Sequence, residues 1–273
     1  MTAVLDRPTP EVPSTGRLFG NLLRSEWTKL RSVRSTLWSL AAALGIVVGI
    51  GTLISLARVA RWERVGRRNG ALFDPTAFSL AGIFLAQLAV GVLGVLVVTS
   101  EYSTGQIRAT LGAAPQRLAV LWAKLLVFLA SVLVVATIGC FAAFAIGQRI
   151  FASKHAGASL GDPHVLRAVI GGALYLTVIG AFGVGLGTIL RRTAGAIAVL
   201  VGVLLIAPII VNLLPDPWND DVGKFLPGSA GGQIWRTVRE SATLSVGTGF
   251  AVFCLYAVVA LAVGAFLLRS RDA

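Results

Sequence analysis

The 273-residue sequence is 56% hydrophobic and 13% charged, with a mean hydropathy of +0.82. A soluble globular domain carries about 25% charged residues. Here the charges cluster between long uncharged runs, which excludes an ordinary soluble fold and predicts an all-α polytopic membrane protein. A net charge of +12 would point to nucleic acid in a soluble chain. In this one the basic residues flank apolar runs, where they set topology and meet anionic lipid headgroups. Membrane lipid, and no nucleic acid, is the expected contact.

Residues 1–17 hold Pro8, Pro10 and Pro13 among Thr, Ser and Gly, and are expected to form a disordered tail. Met1–Thr36 has no apolar core followed by a small-residue cleavage site, so the first span is expected to direct insertion. Residues 18–273 are expected to form a single transmembrane domain. From Leu18, the residues Phe19, Leu22, Leu23, Trp27, Leu30, Val33 and Leu37 recur at helical spacing, with Arg24, Lys29 and Arg31 off the stripe. That pattern predicts an interfacial amphipathic helix, with Glu26, Trp27 and Lys29 as its marker residues. Glu26 and Arg34 fall within or beside the apolar arc. They either reach the headgroups, or Glu26 faces a protein partner or pairs locally with Lys29.

Six apolar runs follow: residues 37–57, 78–99, 121–147, 168–190, 194–213 and 247–268. Each is long enough for a hydrocarbon core of about 30 Å, which needs roughly 20 helical residues. The third is overlong, and Lys124 can snorkel at its start. Spans four and five are separated only by Arg191-Arg192-Thr193, which makes them antiparallel neighbours. Pro208 predicts a kink in the fifth. Gly45 and Gly49, like Gly183 and Gly187, have the small-xxx-small spacing of close helix contacts.

Between spans two and three lies a polar excursion, Glu101-Tyr102-Ser103-Thr104-Gly105-Gln106-Ile107-Arg108-Ala109-Thr110-Leu111, continuing to Lys124. It is too short to be anything but a segment at one membrane face, since unsatisfied backbone does not sit in hydrocarbon. Helical spacing of Ile107, Leu111, Ala114, Leu118 and Leu121, interrupted by Gly112 and Pro115, predicts a short interfacial helix over 104–111. A second helix then starts near Pro115. This is the best surface on which anything in water can act mechanically.

Six spans place both termini on one side. Putting them inside leaves 13 basic residues there against 11 outside, which favours cytoplasmic termini by a small margin. The offending loop is 58–77, with five arginines. The longest outer segment, 214–246, starts turn-rich, and Ile234–Arg239 reads as a short helix anchored by Trp235 at the outer face.

No phosphate-binding Gly-x-x-x-x-Gly-Lys-Ser/Thr loop occurs, so the chain is not expected to be an enzyme acting on nucleotide. His155 and His164 have no spacing partner that defines a metal site, and neither a metal nor a cofactor is expected. The apolar runs contain no Asp, Glu, His or Arg, the groups that ion-coupled carriers and intramembrane proteases use. Their polar residues include Gln87, Thr137, Tyr175, Thr177 and Asn212, which bridge helices or line a substrate path. A transporter-like chain without an energy source needs another subunit to supply it.

Ser25-Glu26-Trp27-Thr28-Lys29-Leu30-Arg31-Ser32-Val33-Arg34-Ser35-Thr36 before span one, and Glu101–Leu111 after span two, resemble the permease subunits of type-2 ATP-binding-cassette (ABC-2) exporters, with an actinobacterial flavour. The resemblance covers nearly the whole chain in layout. It implies that the first stretch is a connecting helix on the membrane surface, and that the second is a cytoplasmic coupling helix docking on an ABC ATPase. Glu101, Tyr102, Thr104, Gly105, Ile107 and Arg108 are then the coupling residues. Implied partners are two ATPase copies and a second permease copy or sister permease, in the cell membrane. A short outer segment before the last span is also implied, which residues 228–246 can supply. The basic loop 58–77 departs from the pattern. The other outcome compatible with these residues is a non-transporting sensor or immunity subunit linked to such an ATPase.

Overall fold

The computed structural model describes residues 15–62, 73–106, 117–215, 218–238 and 243–270, and there is no strand among them. In chain order the helices are α1 (Thr15–Ser32), α2 (Arg34–Ala60), α3 (Pro75–Ser79), α4 (Ile83–Ser103), α5 (Arg117–Ala152) and α6 (Val165–Leu190). They continue as α7 (Thr193–Asn212), α8 (Trp218–Gly223), α9 (Pro227–Gly232) and α10 (Val246–Ser270). Six of them, α2, α4, α5, α6, α7 and α10, are long and apolar enough to cross a membrane. They match the six runs read from the sequence, with shifted ends. The expected tail lies outside the described residues up to position 14, and the amphipathic helix begins at Thr15.

The second span starts at Ile83, because the residues before it form the separate turn α3. Asp74 caps that turn by accepting the Ala77 N–H at 2.9 Å, and Pro75 sits where its missing N–H costs nothing. The third span, α5, has 36 residues. At 1.5 Å per residue it is about 54 Å long, well beyond the hydrocarbon core. Its overhang gives α1 a surface to lie on, and α1 packs against α5 more than against any other helix.

The most buried span is α6, which packs on α4, α5 and α10. Two glycines explain its closest crossing. A Cβ at Gly183 would overlap the Gly91 carbonyl of α4, and one at Gly187 would stand 3.0 Å from the Val95 carbonyl. Without side chains there, the two backbones approach directly, and van der Waals packing replaces the hydrophobic drive that lipid removes. Gly45 and Gly49 have the same spacing but face nothing within 4 Å. The fifth span carries a π-helical turn at Gly202–Ile206, just ahead of Pro208. The wider turn absorbs the hydrogen bond that proline cannot make, which is the disturbance its position predicts.

At the end of the bundle away from α1, Asp74 does more than cap. Its other oxygen, Oδ2, accepts the backbone N–H groups of Thr237 and Val238 at 2.7 and 3.1 Å, and the residue is 6% exposed. This carboxylate ties the segment before the last span to the start of the second. Behind it, Gln233–Trp235 forms a single 3-10 turn against α6 and α10. Trp235 is buried there and does not anchor a helix at the interface, because the chain turns inward onto Gly171 and Gly172 of α6. Of the basic loop, Arg58 lies 4.0 Å over the Phe78 ring and Arg61 is exposed, while 63–72 lie outside the described residues.

The two glycine pairs make a direct comparison. Gly183→Leu is expected to destabilise the bundle by about 1–3 kcal/mol or more through overpacking, seen as a lower thermal unfolding midpoint. Gly45→Leu is expected to leave that midpoint in place.

Candidate functional site

The α1 end of the bundle holds the densest group of buried charge among the described residues. Along α1, Phe19, Leu22, Leu23, Glu26, Lys29 and Leu30 all turn at least partly away from solvent, whereas Trp27 is half exposed. Glu26 therefore belongs to the inward face, and the reason is its partners. Its Oε1 pairs with Lys29 Nζ at 2.7 Å, one helical turn on, and its Oε2 pairs with Lys124 Nζ at 2.7 Å, on α5. Glu101, in the last turn of α4, accepts from the same two ammoniums through Oε1, at 2.8 Å from Lys124 and 3.1 Å from Lys29. Four alternating charges thus close a ring across α1, α4 and α5.

The side chains of Glu26, Glu101 and Lys124 are only 6–8% exposed, and that of Lys29 is 30% exposed. Burying one such charge alone is very costly, and it becomes tolerable only with opposite charges and hydrogen bonds in place. Burial alone would lower the Lys29 pKa, but Glu26 and Glu101 outweigh it and hold the ammonium above its ordinary value of 10.5. A raised lysine pKa contributes stability below the ordinary value, lost only as pH climbs past the raised one. Lys29 therefore keeps its charge at physiological pH.

Beyond Glu101 the chain leaves the bundle. Tyr102 is half buried, with the Arg191 guanidinium 5.2 Å over its ring. Arg191 also donates to the Leu267 carbonyl of α10 at 3.2 Å, so the tight turn between spans four and five locks onto the last helix. Ser103, Thr104, Gly105 and Gln106 are exposed. Gly105 adopts φ +71°, the left-handed conformation that ends a helix at low cost for glycine, and its N–H donates to the Tyr102 carbonyl. Ile107 and Arg108, with the rest of the expected short helix over 104–111, lie outside the described residues.

Of the five polar residues considered, Thr177 donates to the Ala173 carbonyl of its own helix, and the other four separate into two groups. Tyr175 Oη donates to Gln87 Oε1 at 2.6 Å inside the core, joining α6 to α4, and the tyrosine ring stacks on Phe253 of α10 at 4.8 Å. Thr137 is half-buried and donates to the Leu133 carbonyl of its own helix, and Asn212 is exposed at the end of α7. The first pair bridges three spans; Thr137 bonds within its own helix and Asn212 faces outward.

The sequence profile of the family described as ABC-2 family transporter protein matches residues 22–206, from inside α1 to the π-helical turn of α7. The chain belongs to that family. A comparison with curated proteins finds no match. As a member of the ABC-2 family it is a multi-pass membrane protein, the permease component of an ABC system, and not itself catalytic. Such a permease pairs with an ABC ATPase.

For this ABC-2 permease the matched region contains all four members of the charge ring. Lys124 is the member that sequence reasoning left out of the site. Its signal was a lysine inside an apolar run, near the depth at which the preceding span ends in Glu101. Lys124→Met is expected to cost about 3–5 kcal/mol, because it leaves two carboxylates facing each other in a buried site. Hydrogen exchange of the α1 amides should rise accordingly. Lys29→Met should raise it less, since Lys29 is partly solvated.

Proposed function

We propose that this permease is the membrane half of an ATP-driven exporter in the cell membrane, with both termini cytoplasmic. The segment after Glu101 is the surface on which a separate ATPase acts. Two ATPase copies, and a second copy of this chain or a sister permease, complete the assembly. The α1 end is then the cytoplasmic end.

The observation that carries this is the joint beneath the exposed stretch. Glu101 closes α4 immediately before Ser103–Gln106, and through Lys124 and Lys29 it is bonded to α5 and α1. A push on the stretch reaches three helices at once, so closure of the ATPase subunits can switch the spans between inward- and outward-facing states. In this arrangement Glu101 transmits the movement and Tyr102 wedges the root of the segment against Arg191. Thr104, Gly105, Ile107 and Arg108 supply the contact surface. Gln87 and Tyr175 are the polar groups closest to a path through the core.

Side-specific labelling tests the reading. Thr104→Cys is expected to react with a membrane-impermeant maleimide in inside-out vesicles and not in intact cells, and the ATPase should slow that reaction. Labelling from the exterior alone would contradict it.

A further inference from the structure

Next to the charge ring lies a cleft of about 340 Å³, bounded by α1, α2, α4 and α5. That volume falls in the range of small-ligand sites, roughly 300–1,000 Å³. Its lining is two-sided. Leu93, Val97 and Val127 present an apolar wall, while Lys29, Thr36 and Glu101 stand on the polar side. A cleft built this way, at the boundary between the spans and the amphipathic helix, matches a molecule with a polar head and an apolar chain.

The bonding around Glu101 selects the head. Oε1 takes both lysines, while Oε2 is buried with no hydrogen-bond partner among the described residues, in a residue 5% exposed. A carboxylate accepts and never donates, so the missing partner is a donor, and a buried one leaves a penalty until it is supplied. A cationic N–H donor satisfies it best, since charge-assisted bonds are about twice as strong as neutral ones. Glu101 itself lines the cleft, beside Lys29 and Lys124.

We propose that this cleft binds an amphiphile through a primary ammonium headgroup held by Glu101, with its chain along Leu93, Val97 and Val127. Two sources share that chemistry: an amine-headed phospholipid of the surrounding leaflet, and a single-chain amine of the kind an exporter would carry. The proposal does not depend on coupling to the ATPase. Binding is read in this chain alone, so its failure would leave the coupling reading intact.

The test is native mass spectrometry of the purified full chain in detergent. The probes are phosphatidylethanolamine and phosphatidylcholine of identical acyl chains, dodecylamine, and dodecyltrimethylammonium. The quaternary heads carry charge but no N–H. The expected result is retention of a primary amine about tenfold over its quaternary counterpart, the size of one charge-assisted hydrogen bond. Selectivity in the phospholipid pair alone identifies a leaflet lipid, and selectivity extending to dodecylamine identifies a single-chain ligand. Glu101→Gln should abolish the preference, and Val97→Phe should abolish binding by filling the cleft. Ser39→Phe fills the same cleft from α2 if the first variant fails to fold. Equal retention of primary and quaternary heads, or binding indifferent to the filled cleft, would overturn the proposal.

Discussion

Two glutamates and two lysines from three helices share one buried ring, and each is tolerable only because the other three are present. Taken singly, none of these charges belongs where it lies: Glu26 interrupts the apolar arc of an amphipathic helix, and Lys124 sits in the first turns of a span. Together they cancel, with four contacts between 2.7 and 3.1 Å. Apolar residues of the same volume would hold the helices together at least as well. What the ring adds is direction, because only one placement of α1 on α5 brings both lysines between both carboxylates.

The rest of the architecture divides labour between the two ends. At the α1 end, ionic contacts join helices distant in sequence, and Arg117 and Arg191 reach the last turns of α10 through backbone carbonyls. At the other end a single carboxylate, Asp74, gathers three backbone N–H groups from two segments. Between them the spans rely on close packing, closest where α6 meets α4 without side chains. Polar bonding at the ends, with close packing and the Tyr175–Gln87 bond between them, suits a bundle whose helices tilt as units.

How much of this was legible in the sequence follows from the range of each signal. Span number and order were readable because apolar length is a local property set by the bilayer. Glu26 was readable as an anomaly, and its neighbour Lys29 as a local partner, for they are three residues apart. Lys124 was not, because its partners lie 98 and 23 residues away and snorkelling explains an isolated lysine near a span end equally well. The glycine pairs show the same limit. Identical spacing gave one pair in a backbone crossing and one pair facing open space, since spacing fixes the face of a helix but not what that face meets. Trp235 was placed at the interface by its amphipathic character, yet the chain folds it inward over the glycines of α6.

If the ring makes one rigid unit of α1 and the ends of α4 and α5, that unit must survive the transport cycle. The direct measurement is pulsed electron–electron distance spectroscopy on the permease assembled with its ATPase. Spin labels would go at Thr28 and Ser103, both exposed, and in a second sample at Ser103 and Lys154 at the far end of the bundle. The account predicts that nucleotide leaves the Thr28–Ser103 distance unchanged while the Ser103–Lys154 distance shifts. A nucleotide-driven change between Thr28 and Ser103 would contradict it.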